Sequence, residues 1–548
     1  MRWVSLATAL AALNVSLTFT NVWPTLAVRP TAAFSGELAI LVVVFVIVHA
    51  WRGSLPAWVL RWLSVVWVLL ILGRYVDVTV RSLYGRELNL YWDLRFVPDV
   101  TAMFTFVASR WQAGGMALGA LLLPLLLHVP VRWALQRVSD GASHPRARRV
   151  LGVAATSVLV LWIAPAVGAR MPDGVRFAEP AAPAYARAMS GLAYEMTGTG
   201  LKALGPAPSM QSSLQHVGNA DVFLIFVESY GAVSWDRPAL AQPLAASRAQ
   251  LEGDIRQTGR AVVSALVEST TFGGESVLAH LSLLSGTEVR DQRTHARLMA
   301  QKRDTFVKVF GRHGYRTVAI MPGLLRSWPQ GAFYGFDEIY DLSKLDYHGP
   351  PFGWWNINDQ FALARTDALE VEPQPRHPVF VFFPTITTHA PFTPAPPYQK
   401  DWARVLMSNP YDRVDLDRAW AEQPDWLNLG PSYVQSLTYM HETLGGYLRL
   451  RADRDFVVIL VGDHQPPALV SGADASWDVP VHVITGRAAL LDRLRQHGFR
   501  EGLAPPGPAV ARMDTLLPIL LDAFGEAGED SVSATAPVGV TSSAAVHR

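Results

Sequence analysis

Glu228 directly follows the apolar run Val222 to Val227, beside Ser229 and Tyr230, and the later run Phe456 to Val461 leads into Gly462, Asp463 and His464. Both runs have the length and the β-branched, aromatic content of buried strands, so the acids and the imidazole emerge at strand ends. Two carboxylates and a histidine meeting at one sheet edge form a donor set suited to Mn²⁺, Mg²⁺ or Zn²⁺. A strand-end acid also serves simply to cap a following helix, and for any one acid alone that explanation is equally good. The Asp463-His464 pair is less easily explained that way.

A third element, Thr270-Thr271-Phe272-Gly273-Gly274-Glu275-Ser276, comes directly after the run Ala261 to Val267. Paired glycines let the backbone turn sharply, and a helix starting near Ser276 places that hydroxyl, with free N–H groups, at the helix's positive end. Such a turn suits a nucleophile with an oxyanion or phosphate cradle, although an ordinary N-cap after a Gly-Gly turn accounts for Ser276 as well. The chain has no cysteine, which excludes disulfides, zinc-thiolate sites and a cysteine nucleophile. Any metal is therefore held by oxygen and imidazole.

The elements that must position these groups divide into two classes. Short β-rich runs at Val222 to Val227, Ala261 to Val267, Thr317 to Met321, Val379 to Phe383, Phe456 to Val461 and Val481 to Thr485 alternate with helix-compatible segments. That alternation predicts an α/β domain with a mostly parallel central sheet, where catalytic groups collect beyond the carboxyl ends of strands. Upstream, apolar runs cover Trp3 to Val28, Leu38 to Trp51, Leu55 to Leu72, Met116 to Pro130 and Val150 to Val167. The longest approach the ~20 residues that cross a bilayer, so about five membrane spans are expected.

With 548 residues, 50% hydrophobic and 17% charged, the chain is too apolar for a purely soluble protein. Its 47 basic and 46 acidic side chains leave a net charge of +1, so nothing global points to nucleic acid as a partner. Arg61 sits inside the third run, with Arg74 and Asp77 at its far end. The segment from Tyr84 to Trp111 mixes Trp and Tyr with Arg86, Glu87, Asp93, Arg95 and Asp99, and reads as an outer, interfacial loop. Arg52 lies between spans two and three, and Arg132, Arg137, Arg146, Arg148 and Arg149 lie between four and five, so those loops face the cytoplasm. The expected organisation is a transmembrane part over 1–168, a connector over 169–218, an extracytoplasmic catalytic domain over 219–525 and a disordered tail over 526–548.

Taken together, Glu228 after the first strand, the turn Gly273-Gly274-Glu275-Ser276 and the late Gly462-Asp463-His464 resemble the lipoteichoic acid synthase and phosphoethanolamine transferase branch of the alkaline phosphatase and sulfatase superfamily. Five spans ahead of the catalytic domain also resemble that branch, and the likeness covers most of the chain. It implies a metal, Mn²⁺ first, held by Glu228, Asp463 and His464, with the turn hydroxyl as last ligand and nucleophile. Relatives read Phe-Gly-Gly-x-Ser/Thr and then Leu-Ser/Thr-Gly; Phe272 to Ser276 and Leu284-Ser285-Gly286 match without a gap, which selects Ser276 and leaves Thr271 as the runner-up.

The same resemblance gives His389, in Thr387-Thr388-His389-Ala390-Pro391, a substrate-side role as ligand of the leaving oxygen or general acid. More loosely, it assigns Arg326 and Trp328 to phosphate contact, Arg326 as a bidentate clamp. His280, four residues after Ser276, shares its helix face and either sits over the site or packs beneath it. His482 is expected in the core or at a strand edge, and Asp359 is expected to be structural. Ser276 is followed by Val277, Leu278, Ala279 and His280, so the C/S-x-P-x-R pattern that sulfatases need for formylglycine is absent. The function implied is transfer of a phosphoglycerol or phosphoethanolamine group from a bilayer phospholipid to a glycan or lipid hydroxyl. A hydrolase of the same fold and a non-catalytic membrane sensor or assembly protein are the alternatives.

Overall fold

The computed structural model of the protein describes residues 3–22, 26–84, 87–107, 110–168, 170–172, 174–197, 204–324, 328–353, 356–472 and 475–526. Two compact units result, Met1–Lys202 and Ala203–Arg548.

In the first unit the apolar runs become helices α1 (Trp3–Thr18), α2 (Gly36–Arg52), α3 (Ala57–Tyr84), α4 (Leu90–Val107), α5 (Arg110–Ser143), α6 (Pro145–Ile163) and α7 (Ala181–Thr197). Among the described residues, three stretches are long and apolar enough to cross a membrane: Ala57–Ser82, Ala113–Ser143 and Pro145–Val167. Helices α1 and α2 have 16 and 17 residues, about 24–26 Å, slightly less than the ~30 Å of hydrocarbon.

Three expectations change here. The segment from Tyr84 to Trp111, read as a loop, contains α4. Its start was hidden in Asn89, whose side-chain oxygen accepts from Trp92 N at 3.3 Å while Asp93 accepts from Asn89 N at 2.8 Å. The arginines assigned to the loop between spans four and five lie instead on α5 and α6, which run on to Ser143 and restart at Pro145. The stretch 169–218 includes α7, and its later residues Met210, Leu214 and Val217 are buried in the second unit's core.

The second unit is built on a nine-stranded sheet. Its strands are β1 (Asp221–Val227), β2 (Ala261–Glu268), β3 (Arg316–Ile320), β4 (Glu338–Tyr340), β5 (Val379–Pro384), β6 (Phe456–Gly462), β7 (Asp478–Thr485), β8 (Arg500–Glu501) and β9 (Ala511–Arg512). The order is β8-β2-β7-β6-β1-β5-β3-β4, with β9 beside β2. Strands β6, β1, β5, β3 and β4 are mutually parallel, and β7 is antiparallel to both neighbours. Because β2 pairs antiparallel with β7 in turn, β2 again points the same way as β1 and β6. The short strands β4, β8 and β9 escaped the sequence reading because two or three residues carry no alternation.

Every residue of β1 is buried. Val222, Leu224 and Phe226 enter one hydrophobic cluster and Phe223, Ile225 and Val227 the other. A strand covered on both faces has no polar side, which is why these runs are continuously apolar. One cluster includes Leu278, Leu281 and Leu284 of helix Ser276–Ser285; the other includes Leu244 and Leu251 of Pro238–Gln257 and Leu437 and Leu444 of Gly430–Leu450.

Candidate metal and nucleophile centre

Register brings the acidic residues together. Val227 pairs with Gly462, so Glu228 and Asp463 leave neighbouring parallel strands at the same level. A side chain at position 462 would place Cβ 1.9 Å from the Tyr230 carbonyl oxygen, which explains the glycine. Ser229 adopts φ +58°, an uncommon conformation for a residue with a side chain. It turns its N–H toward Asp463 Oδ1 at 2.8 Å and its hydroxyl toward Glu228 Oε1 at 3.1 Å.

The glycine turn after β2 arrives at the same edge. Ser269 donates its hydroxyl to the Asp463 carbonyl, and Gly273 N donates to the Gln465 carbonyl at 3.2 Å. Gly273 and Gly274 take φ +69° and +155°, and Glu275 takes +61° immediately before the helix begins at Ser276. The Ser276 hydroxyl then lies 2.8 Å from Glu228 Oε2 and 3.1 Å from His464 Nε2. Thr271 lies close by, yet its hydroxyl donates to the Gly274 carbonyl and closes the turn. The geometry thus directs Ser276, and not Thr271, toward the acids.

Glu228, Asp463 and His464 each offer a ligand atom within 4.8 Å of the others, and all three are buried. Three observations fit this set to a divalent cation. Asp463 Oδ1 accepts from two backbone N–H groups, whereas its Oδ2 is buried with no hydrogen-bond partner among the described residues. His464 Nδ1 donates to the Gln465 carbonyl at 2.8 Å, leaving Nε2 as a lone pair directed inward. The Ser276 hydroxyl has one proton and two accepting neighbours, so one of its contacts sets lone pair against lone pair. A cation relieves each of these.

Electrostatics follow the same pattern. Burial disfavours charge on Glu228, but the nearby imidazoles of His464 and His389 and the hydrogen bond from Ser276 bring its carboxyl down to about 2. Burial, and then the Glu228 charge, pushes Asp463 well above the usual carboxylate range. Burial pushes His464 down, keeping it neutral and able to act as a ligand.

The other candidates fall around this centre. His389 lies close enough for its charge to act on both Glu228 and His464, and its Nδ1 donates to the Ala390 carbonyl at 2.7 Å. It lines a cavity of about 30 Å³ with Phe352, Asn358, Thr387 and Phe392. His280 packs beneath the centre rather than over it, its ring 4.4 Å from Phe226 and 5.6 Å from Phe382, and burial drives its pKa to about 3. Trp328 packs 5.4 Å from Tyr334 and against the hydrophobic core, and no contact with the acidic residues accompanies that placement. Arg326 lies outside the described residues, as does 527–548 of the expected tail. His482 is a core residue on β7, bonded to Ser264 at 2.7 Å and Tyr230 at 3.1 Å.

Sequence reasoning missed Thr385, and it named Asp359 as structural without deriving its role. Thr385 accepts from Glu228 N at 3.1 Å. Asp359 is buried and accepts from Ile386 N at 2.7 Å and Thr387 N at 2.9 Å, clamping the backbone that leads to His389. Burial, opposed by these hydrogen bonds, raises its pKa to about 6. Ser229 had one visible signal, adjacency to Glu228; Asp359 had none beyond its sequence neighbours.

Residues 244–483 match the family model described as Sulfatase. No curated protein sequence matches the chain. Among solved structures, the integral membrane protein lipooligosaccharide phosphoethanolamine transferase A from Neisseria meningitidis is similar at 13% identity and TM-score 0.46, covering 95% of each chain. An alkaline phosphatase superfamily protein from Vibrio parahaemolyticus is similar at 16% identity and TM-score 0.37, covering 59% of this chain and 69% of that one. A lipoteichoic acid synthase from Listeria monocytogenes is similar at 14% identity and TM-score 0.34, covering 52% and 68%. Ser276, Asp463 and His464 fall inside the stretch that matches the Sulfatase family model, and Glu228 lies before it.

Proposed function

We propose that the protein is a membrane-bound phosphotransferase that moves a phosphoglycerol or phosphoethanolamine group from a phospholipid to an acceptor hydroxyl through a phosphorylated Ser276. The observation that carries this reading is the Ser276 hydroxyl held 2.8 Å from Glu228 and 3.1 Å from His464, in a cluster fit for a divalent cation. Glu228, Asp463 and His464 would hold the ion, Mn²⁺ first, with the Ser276 oxygen beside them. When bound, the ion supplies positive charge that lowers the pKa of the hydroxyl and stabilises charge developing on the phosphoryl oxygens.

Glu228 Oε2, 2.8 Å away, takes the proton of the Ser276 hydroxyl as Oγ attacks phosphorus. A bond forms from Ser276 Oγ to phosphorus while the bond to the diacylglycerol oxygen breaks, and His389 protonates that leaving oxygen. In the second half, His389 takes the proton of the acceptor hydroxyl, on a glycan or lipid, as its oxygen displaces Ser276, and Glu228 returns its proton to the Ser276 oxygen. Arg326 and Trp328 are assigned to the phosphate group by the sequence resemblance, and His280 supports the floor of the site through Phe226.

The reading includes five spans within 1–168 and a catalytic domain, with Met210, Leu214 and Val217 in its core, on the periplasmic or extracellular side. The absent formylglycine pattern argues against sulfate-ester hydrolysis. The test is Ser276→Ala in the full chain with a headgroup-labelled phospholipid. Turnover falls by a factor of about a thousand or more, and phosphorylated Ser276 is trapped in the parent protein only. Undiminished turnover in Ser276→Ala, with no phosphorylated enzyme in the parent, overturns the covalent mechanism. Label released to water alone redirects the reading to a hydrolase.

A further inference from the structure

A second charged cavity lies within the first unit, at the end of the candidate span Ala57–Ser82. It has a volume of about 80 Å³ and is lined by Arg74, Asp77, Arg81, Glu87, Tyr185 and Arg187, among others. Most of these charges are matched. Arg81 bonds Asp77 Oδ1 at 3.0 Å, Glu87 at 3.3 Å and Glu179 at 3.3 Å, and Arg187 bonds Glu179 at 3.0 Å.

One carboxylate oxygen and one guanidinium are left over. Asp77 is 7% exposed, and its Oδ2 has no hydrogen-bond partner among the described residues. Arg74 is 8% exposed and makes no ion pair among the described residues; its guanidinium donates only to backbone carbonyls, Phe19 at 3.4 Å and Glu179 at 3.3 Å. Three residues apart on α3, the two side chains share a helix face. Space for the cavity is also specific. A Cβ on Gly73 would lie 2.0 Å from the Tyr185 ring, so only glycine admits Tyr185 across α3 to the Leu69 carbonyl.

We propose that this cavity binds the headgroup of a phospholipid carrying a phosphate and a primary amine, phosphate on Arg74 and amine on Asp77 Oδ2. An uncharged head leaves both groups unanswered. A purely anionic head sets its charge against the unpaired Asp77 oxygen, and a quaternary ammonium has no N–H to donate to it. A zwitterion joined by a short carbon spacer answers both, with charge-assisted hydrogen bonds to two side chains that are themselves buried. Charged groups within a membrane span that face a cavity are expensive to keep and mark binding sites. The inference rests on the reading of Ala57–Ser82 as a membrane span and is independent of the Ser276 chemistry; under the proposed function it would hold a donor-class lipid at the membrane unit.

The test uses the full chain in mixed micelles holding equal parts of phosphatidylethanolamine, phosphatidylcholine and phosphatidylglycerol, with retained lipid identified by mass spectrometry. Phosphatidylethanolamine is retained about tenfold over the other two, the effect of one charge-assisted hydrogen bond. Asp77→Asn loses the preference and Ser276→Ala keeps it, which separates this cavity from the nucleophile centre. Should Asp77→Asn fail to fold, Glu87→Gln, on a more exposed lining residue, is expected to weaken the preference. Equal retention of the three lipids by the parent protein overturns the proposal, as does a preference that survives these variants. Complete displacement by stoichiometric glycerophosphoethanolamine assigns the cavity to a soluble ester and overturns the lipid reading.

Discussion

The two ends of strand β1 bury carboxylates in opposite ways. At the amino end, Asp221 accepts from both terminal nitrogens of Arg376, one at 2.7 Å, and from Val379 N at 2.9 Å. Elsewhere in the same unit Asp367 is bonded by Arg451 and by the Tyr447 hydroxyl at 2.8 Å, and Glu370 by Arg316 at 2.6 and 2.8 Å. At the carboxyl end, Glu228 and Asp463 are as deeply buried but have no Lys or Arg ion-pair partner among the described residues; their partners are hydroxyls, backbone N–H groups and His464. A buried charge without a compensating partner costs several kcal/mol. The amino end spends its carboxylate on holding strands together, and the carboxyl end keeps its acids poised for a cation from outside the chain.

That contrast can be broken most decisively at Asp463. Asp463→Asn removes an ion ligand, so turnover should fall by a factor of about a thousand or more. Added Mn²⁺ should raise the Tm of the parent protein but not of the variant, while with chelator the variant should melt no lower than the parent. A variant that keeps the Mn²⁺-induced rise would show that these acids are structural after all. The opposite signature is expected at Asp221, whose replacement leaves Arg376 buried without its partner. Asp221→Asn should lose about 3–5 kcal/mol of stability in a denaturant titration and retain the Mn²⁺-induced rise in Tm.

A smaller effect sharpens the comparison at Asp359, an acid compensated by the Thr387 side chain and by backbone N–H groups and by no cation among the described residues. Its folded pKa, about 6, lies above the ordinary 3.8, so the native state binds this proton more tightly than the unfolded chain does. The stabilisation is therefore complete below 3.8 and is lost as pH rises through about 6. Urea midpoints of the parent protein should fall relative to Asp359→Asn across that window, by up to about 3 kcal/mol. Because the clamp sets the backbone before His389, turnover in the variant should also fall about tenfold. Parallel midpoint curves for the two proteins would locate the pH response elsewhere.

How much was legible from the chain depends on how local the signal is. Glu228, Asp463 and His464 stand out because each directly follows a continuous apolar run, and strand ends are local features. Ser276 and Thr271 were separable only through motif likeness until the structure showed the Thr271 hydroxyl closing the turn onto Gly274. The position of His280 was open because a helix face points both to a site and to the floor beneath it; contact with Phe226 and Phe382 decides for the floor. Helix α4 was missed because its cap, Asn89 with Asp93, sits within a charged, aromatic segment that reads as an interface. Asp359 was read only as structural and Thr385 was out of reach, since their particular roles exist only in contacts to Ile386, Thr387 and Glu228.

By itself, then, the amino-acid sequence determined which segments are buried strands or apolar helices, which residue types stand at their ends, and that any metal must be held by oxygen and imidazole. Those properties follow from periodicity and composition, which act over a few residues. The tertiary structure alone decided which ends become neighbours: β6 beside β1, β2 returned to the same direction by the antiparallel β7, and Arg376 at one end of β1 with no arginine described at the other. Burial assigns each carboxylate a large electrostatic penalty, but only the crossing of distant segments settles whether an arginine, a backbone N–H or a cation will answer it.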